Sequence, residues 1–277
     1  MHPILFRIGS YEVTSYGVAL MIAFAVGIEV ARRRARAAGL DEERVIDTCM
    51  IILVTSLVGA RGLWVATHLA VFQPPRGSWV DAVNPFHVGG IGLGGLSMLG
   101  GVGLATVSSL VFLRSRGMPV LRTADVLAPS GALGEGITRI GCFLNGCCFG
   151  VPCQFPWCIR FPGGSGAGQI FPDATIHPTQ LYASALGFAT FAVLSALLAR
   201  RPPDGVVFFA LLAAIGLERL ALELVRYSEA SVIWLQLGAA PISSNQVLGA
   251  MLALLGAAGL VWRMRAGDAR ASRAAAR

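Results

Sequence analysis

Apolar residues in this chain gather into long runs rather than alternating with polar ones. A helix of about 20 apolar residues crosses a hydrocarbon core. The sequence holds seven runs of that order, at 13–31, 45–71, 90–113, 121–139, 179–199, 205–226 and 243–262. They predict an all-α integral membrane protein with seven transmembrane helices, a single domain over 1–265 and an Ala/Arg-rich tail over 266–277. The fourth run is the least apolar, because Asp125, Pro129 and Glu135 interrupt it.

Composition agrees: 55% of the 277 residues are hydrophobic and 13% charged, against roughly 25% charged in soluble domains. All 22 basic residues are arginine, and they sort by connection. One set holds Arg32, Arg33, Arg34, Arg36 and Arg44, then Arg114, Arg116 and Arg122, then Arg200 and Arg201. Arg263, Arg265, Arg270, Arg273 and Arg277 of the tail bring that set to fifteen. The alternate connections hold only Arg7, Arg76, Arg160 and Arg226. The positive-inside rule then places the N-terminus outside and the C-terminus in the cytoplasm, a parity that needs an odd number of spans. Basic charge set in short clusters between apolar runs argues against a nucleic-acid partner. Only His2 and Arg7 precede the first run, so no cleavable signal peptide is expected. The outer connections are 72–89, rich in Pro, Gly and Trp, and 140–178, a Cys- and Gly-rich loop.

Ionisable residues inside apolar runs mark function. An arginine at mid-membrane costs about 2.5–3.5 kcal/mol on insertion scales, so it is kept where it meets an anion, a carboxylate or water. Arg61, Asp125, Glu135, Arg139, Glu218, Arg219 and Glu223 lie in runs, and Arg226 lies at the edge of one. Arg219, Glu223 and Arg226 stand at i, i+4 and i+7, one helical face. Structural ion pairs such as Arg219 with Glu223 are the plain alternative. So many charges fit better a cavity that takes an anionic lipid headgroup. The stretch Thr138 to Gly150 sets Arg139 beside Gly141, Gly146 and Gly150, where the main chain can approach a bound group.

Five of the six cysteines, Cys142, Cys147, Cys148, Cys153 and Cys158, fall in the 140–178 connection. On an oxidising face one or two disulfides are expected, with an odd cysteine left free. The spacing lacks the C-x2-C pairs of zinc modules, so no metal is expected. A redox-active pair is the remaining reading. Cys49 is expected to be a small buried hydrophobe.

The order of motifs resembles the prolipoprotein diacylglyceryl transferase family over nearly the whole chain. His2 to Phe6, Ser15-Tyr16-Gly17 and Gly59-Ala60-Arg61 are similar to its opening and its second-span arginine. Gly94 to Ser97 with Gly100-Gly101 resembles its glycine-rich third-span motif. Asp125 and Ala128-Pro129 lead into a signature running from Arg139-Ile140-Gly141 through Asn145-Gly146 to Gly150. His177 to Tyr182 resembles its His-Pro-Ser-Gln-Leu-Tyr block, Arg219, Glu223 and Arg226 its sixth-span pattern, and Gln246 a late glutamine. The chain departs at Leu99, where the family usually has histidine, at Cys142 and Cys147, where it has asparagine and glutamate, and at Ile215, where it has tyrosine.

The resemblance implies a multi-pass protein of the bacterial inner membrane. It would move a diacylglyceryl group from phosphatidylglycerol to the lipobox cysteine of a prolipoprotein, without a cofactor. Arg139 and Arg219 would clamp the departing phosphate, and His177 and Glu223 are the candidate bases. Tyr16, Arg61, Asn145, Gly146, Gly150, Gln180 and Arg226 would bind substrate. The alternatives are a catalytically silent homologue that binds phospholipid or lipoprotein, which Leu99 favours, and a membrane thiol–disulfide protein.

Overall fold

The computed structural model describes residues 2–9, 11–72, 78–80, 95–227, 233–237 and 240–275. Long helices dominate them: α1 Ser15–Ala37, α2 Glu42–Thr67, α3 Met98–Ser115, α4 Val120–Asn145, and, after the short α5 Gly166–Ile170, α6 Thr179–Ala199, α7 Val206–Glu223 and α8 Ser244–Ala275. Each apolar run has its long helix; the start of the third run, and Gly94 with it, lies outside the described residues. Five of these helices are long and apolar enough to cross a membrane: α1, α2, α3, α6 and α8 over Ser244–Ala266. The other two long helices, α4 and α7, carry most of the in-run charge.

Two short antiparallel hairpins were not visible in the hydropathy pattern: β1 Ile4–Ile8 with β2 Tyr11–Thr14, and β3 Ile233–Leu237 with β4 Ala240–Ser243. Strands of four or five residues vanish in a window of about 20. Across the first hairpin Arg7 faces Glu12, with Nη2 2.6 Å from Oε1.

The chain falls into two compact units, Ala35–Val120 and a second made of Met1–Arg34 with Leu121–Arg277. In the first, α2 and α3 cross at Gly59 and Gly100, where a Cβ on either would run into the other's carbonyl oxygen. Small residues at a crossing let backbones approach closely, the usual device where lipid removes the hydrophobic drive for helix pairing.

In the second unit α4 is the central element. Ten of its residues are buried, among them Asp125, Ala128, Pro129, Ala132 and Gly136. Ala128 and Ala132 pack with Leu194 of α6 and with Val207 and Leu211 of α7. Ser184 of α6 donates to the Gly136 carbonyl at 2.8 Å. Against α1, Gly141 sits so close that a Cβ there would lie 2.6 Å from that of Ala19. The helices α7 and α8 meet at Gly216 and Gly249, again backbone on backbone.

Asp125 has a structural task. Its Oδ2 accepts from the Gly205 amide at 2.6 Å and its Oδ1 from the Phe208 amide at 2.7 Å. A carboxylate from α4 thus caps α7, whose first amides have no intrahelical partner and whose N-terminal dipole favours an anion. Asp125→Ala removes that cap and should lower unfolding free energy by about 1–2 kcal/mol, with Asp125→Asn losing less. Thermal unfolding in detergent measures it; an unchanged midpoint for Asp125→Ala would show that the cap does not hold α7.

Candidate functional site

The site is built around the turn that ends α4. Gly146 takes a left-handed φ of +74°. Its amide reaches the Phe143 carbonyl at 3.2 Å, and the Cys147 amide reaches that of Cys142, also at 3.2 Å. This is the Schellman closure, which needs a residue at ease in the left-handed region. The next carbonyls are all taken from outside the turn. Gly146 O accepts from the Ala167 amide, Cys147 O from Gln180 Nε2 at 2.7 Å, Cys148 O from Thr179 Oγ1 at 2.8 Å and Phe149 O from the Tyr227 amide. Cys148 itself stands at φ +59°. A left-handed conformation costs a residue with a Cβ about 1–2 kcal/mol, and these anchors hold it there.

Beyond the turn the connection packs on its own small core of Phe149, Phe161, Ala167 and Ile176, with Tyr227 stacked 5.6 Å from Phe149. Gly150 is wedged at the entrance. Its amide donates to His177 O at 3.0 Å, and a Cβ there would lie 2.6 Å from both the His177 Cβ and the Val225 carbonyl oxygen. That fit lets Gly150 bridge to Arg226.

Between this turn and the ends of α4, α6, α7 and α8 lies a cleft of about 400 Å³ counted to its open side. Three arginines line it: Arg139, Arg219 and Arg226. Opposite charge comes from Glu218 and Glu223, and polar surface from Thr179, Gln180 and Asn245. Glu135 stands one turn before Arg139 and takes its Nη2 at 3.2 Å. Glu223 accepts from Ser243 Oγ at 2.6 Å. Ser243 in turn caps α8: its Oγ accepts the Gln246 amide at 3.1 Å while its own amide donates to Gln246 Oε1 at 3.0 Å. That reciprocal pair is a capping box, so Gln246 orients Glu223 through Ser243. Gln180 is 1% exposed; with Nε2 committed to Cys147 O, its Oε1 has no hydrogen-bond partner among the described residues. A buried acceptor left over at a cleft wall suits a donor on a bound molecule.

Arg139, Arg219, Glu223, Gln180 and Arg226 of the expected site therefore meet in one cleft. Arg226 gets there by a different route than helical periodicity: α7 ends at Glu223, and the bridge to Gly150 places Arg226. Gly146 and Gly150 shape the wall. Asn145 closes α4, and Tyr16, in the first turn of α1, is 38% exposed; neither lines the cleft. His177 also lies outside the lining, its Nδ1 3.2 Å from the Tyr182 hydroxyl. Arg61 belongs to the Ala35–Val120 unit, over Trp64 at 5.4 Å and Phe72 at 5.8 Å, with Nη1 3.4 Å from Gly95 O. Sequence reasoning named Glu218 as an in-run charge and Cys148 as a loop cysteine without assigning either to the site, and it gave Thr179 and Asn245 no role. An in-run charge beside Arg219 was the available signal for Glu218; Asn245 had none.

The cysteines divide. Cys153 and Cys158 form a disulfide, while Cys142, Cys147, Cys148 and Cys49 are free. More than one odd cysteine is thus left in the connection. Cys49 is only partly buried in α2. Hydrogen bonds from Cys142 and then Cys147 pull the Cys148 thiol far below its ordinary pKa; the nearby charges of Arg226 and Arg139 add to this against burial. Cys147 moves the other way: the hydrogen bond with Cys142 lowers its pKa, but Cys148 and burial together outweigh it and raise the thiol.

Residues 3–262 match the family described as prolipoprotein diacylglyceryl transferase. The chain belongs to the prolipoprotein diacylglyceryl transferase family. Relatives named phosphatidylglycerol–prolipoprotein diacylglyceryl transferase include that of Geobacter sulfurreducens, 32% identical with 92% of each chain covered. That of Symbiobacterium thermophilum is 31% identical over 95% of this chain and 93% of its own. The Parasynechococcus marenigrum protein is 30% identical over 95% and 94%. This transferase family is an enzyme family, and its member here is a multi-pass membrane protein.

Gly150→Ala tests the wedge. The added methyl should displace Arg226 and destabilise the protein by about 1–3 kcal/mol, read as a lower unfolding midpoint together with weaker phospholipid binding. Unchanged binding and stability would show that the Gly150–Arg226 bridge does not set the cleft.

Proposed function

We propose that this protein transfers the diacylglyceryl group of phosphatidylglycerol to the lipobox cysteine thiol of prolipoproteins, in the bacterial inner membrane. The observation that carries the reading is the convergence of Arg139, Arg219 and Arg226 on one cleft that also presents Glu218, Glu223 and Gln180. The seven long helices suit seven spans with the N-terminus outside. The acceptor sulfur attacks the glyceryl carbon that bears the phosphate, the C–O bond breaks, and the electron pair leaves with the phosphate oxygen as glycerol phosphate. Charge grows on that oxygen in the transition state, where fixed guanidinium groups act most strongly. Arg139, aligned by Glu135, and Arg219 form the clamp, and Arg226 adds charge at the wall. Gln180 Oε1 accepts from a headgroup hydroxyl. Glu223, which accepts from Ser243 Oγ, would take the thiol proton. His177, held against Tyr182, positions the Gly150 strand. Tyr16 and Asn145 would bind substrate beside this centre, and Arg61 keeps the substrate-binding role that the resemblance implies.

Leu99, 67% exposed in the first turn of α3, favours the second reading, a silent homologue that binds lipid without turnover. Mixing purified protein with phosphatidylglycerol and a lipobox peptide, and following glycerol phosphate release, decides between them. Wild type should turn over, Arg139→Ala and Arg219→Ala should lose roughly 100-fold or more in kcat, and Arg→Lys at either position should recover only part. Lipid binding without turnover by folded wild type would establish the silent homologue.

A further inference from the structure

The sulfur atoms of Cys142, Cys147 and Cys148 lie within 4.8 Å of one another. In a tetrahedral zinc–thiolate site, Zn–S distances of 2.3 Å put sulfurs roughly 3.8 Å apart, so closure needs only small rotations of the side chains. The turn itself brings them together: Cys142 is on the last turn of α4, the Schellman closure folds Cys147 back over it, and the left-handed Cys148 swings the third sulfur in. Cys147 Sγ rests 3.7 Å from Cys142 O. Main-chain anchors on four successive carbonyls fix the constellation before any ligand arrives, as a binding site requires. A second group, Cys153, Cys158 and His177, has its two sulfurs tied up in the disulfide.

We propose that Cys142, Cys147 and Cys148 form a three-thiolate site for a thiophilic divalent cation of the zinc type, with its fourth coordination position open toward the cleft. Cys148 lines the cleft whereas Cys142 is buried, so the open side faces Arg139 and Arg226. Three thiolates and a dication leave one net negative charge, which those arginines balance. Three protein ligands with an open fourth position is the pattern of zinc sites that act on a bound group, not of closed structural ones. The role of that position rests on the transferase reading. The acceptor cysteine would bind there through sulfur, its S–H proton would pass to Glu223, and the held thiolate would attack the glyceryl carbon as glycerol phosphate leaves. Cys142 and Cys147 stand where the family resemblance leads one to expect asparagine and glutamate. A metal-held thiol has a lowered pKa and would give up its proton to Glu223 more readily.

The test uses the whole protein in detergent, with the Cys153–Cys158 disulfide left intact and zinc or cadmium ions alone. Elemental analysis should give one metal per chain for wild type and for Cys49→Ser. Cadmium should add a thiolate charge-transfer band, and zinc should protect three thiols from alkylation. Cys142→Ser and Cys148→Ser should each weaken binding by more than about 100-fold, beyond the 10–100-fold typical of lost outer-sphere partners. Substoichiometric metal with no band in folded wild type overturns the site, as does a disulfide between any two of the three sulfurs in metal-free protein. Glycerol phosphate release before and after chelation separates the two readings. Turnover lost on stripping and restored by zinc supports the role, and turnover unchanged after stripping overturns it. A metal-loaded protein that binds lipid without turnover sinks the transferase reading and leaves the metal site standing.

Discussion

A charge within an apolar helix bundle must be answered by a partner, and in this protein those answers organise the fold. Asp125 of α4 is met by the first amides of α7, and Arg139, further along α4, by Glu135 and by the cleft it shares with Glu218, Arg219 and Glu223. Fourteen residues separate Asp125 from Arg139, about 21 Å of helix. The same two helices are thus pinned by charge at one end and opened by charge at the other. Removing the cap would loosen the helix that carries Arg219 and Glu223. Stability and site chemistry depend on one pairing of α4 with α7.

The polar side chains around the cleft are oriented in relays rather than singly. Gln246 holds Ser243, Ser243 holds Glu223, and each bond also satisfies a helix start. Thr179 and Gln180 open α6 and fasten the cysteine turn. Helix termini supply unpaired backbone groups by construction, and four of them gather here: the end of α4, the start of α6, the end of α7 and the start of α8. A site built at helix ends gains its polar surface this way without burying a loop that lacks partners.

Much of this was legible in the sequence, because transmembrane helices announce themselves by length and apolarity. The helix positions followed from the runs, and Arg139, Arg219, Glu223 and Arg226 from their cost. What stayed hidden depended on partners distant in the chain or on local twists of the backbone. Asp125 read as an expensive charge, since the amides it caps lie 80 residues on. Arg226 seemed a helical neighbour of Arg219, because the bridge that replaces the helix after Glu223 involves Gly150 far upstream. The cysteine spacing suggested disulfides or a redox-active pair, because a left-handed Cys148 is invisible to residue counting. His177 looked chemical, and Tyr182 turned out to be its neighbour.

The turn after α4 is held by its carbonyl oxygens, and the atoms that hold them belong to Ala167, Thr179, Gln180 and Tyr227. Its path is therefore written by residues other than its own side chains. Positions 142, 147 and 148 behave like sockets in a rigid frame: the anchors that hold the turn do not depend on which side chains fill them. Such an arrangement tolerates exchange of those side chains by point substitution, without a new fold around them.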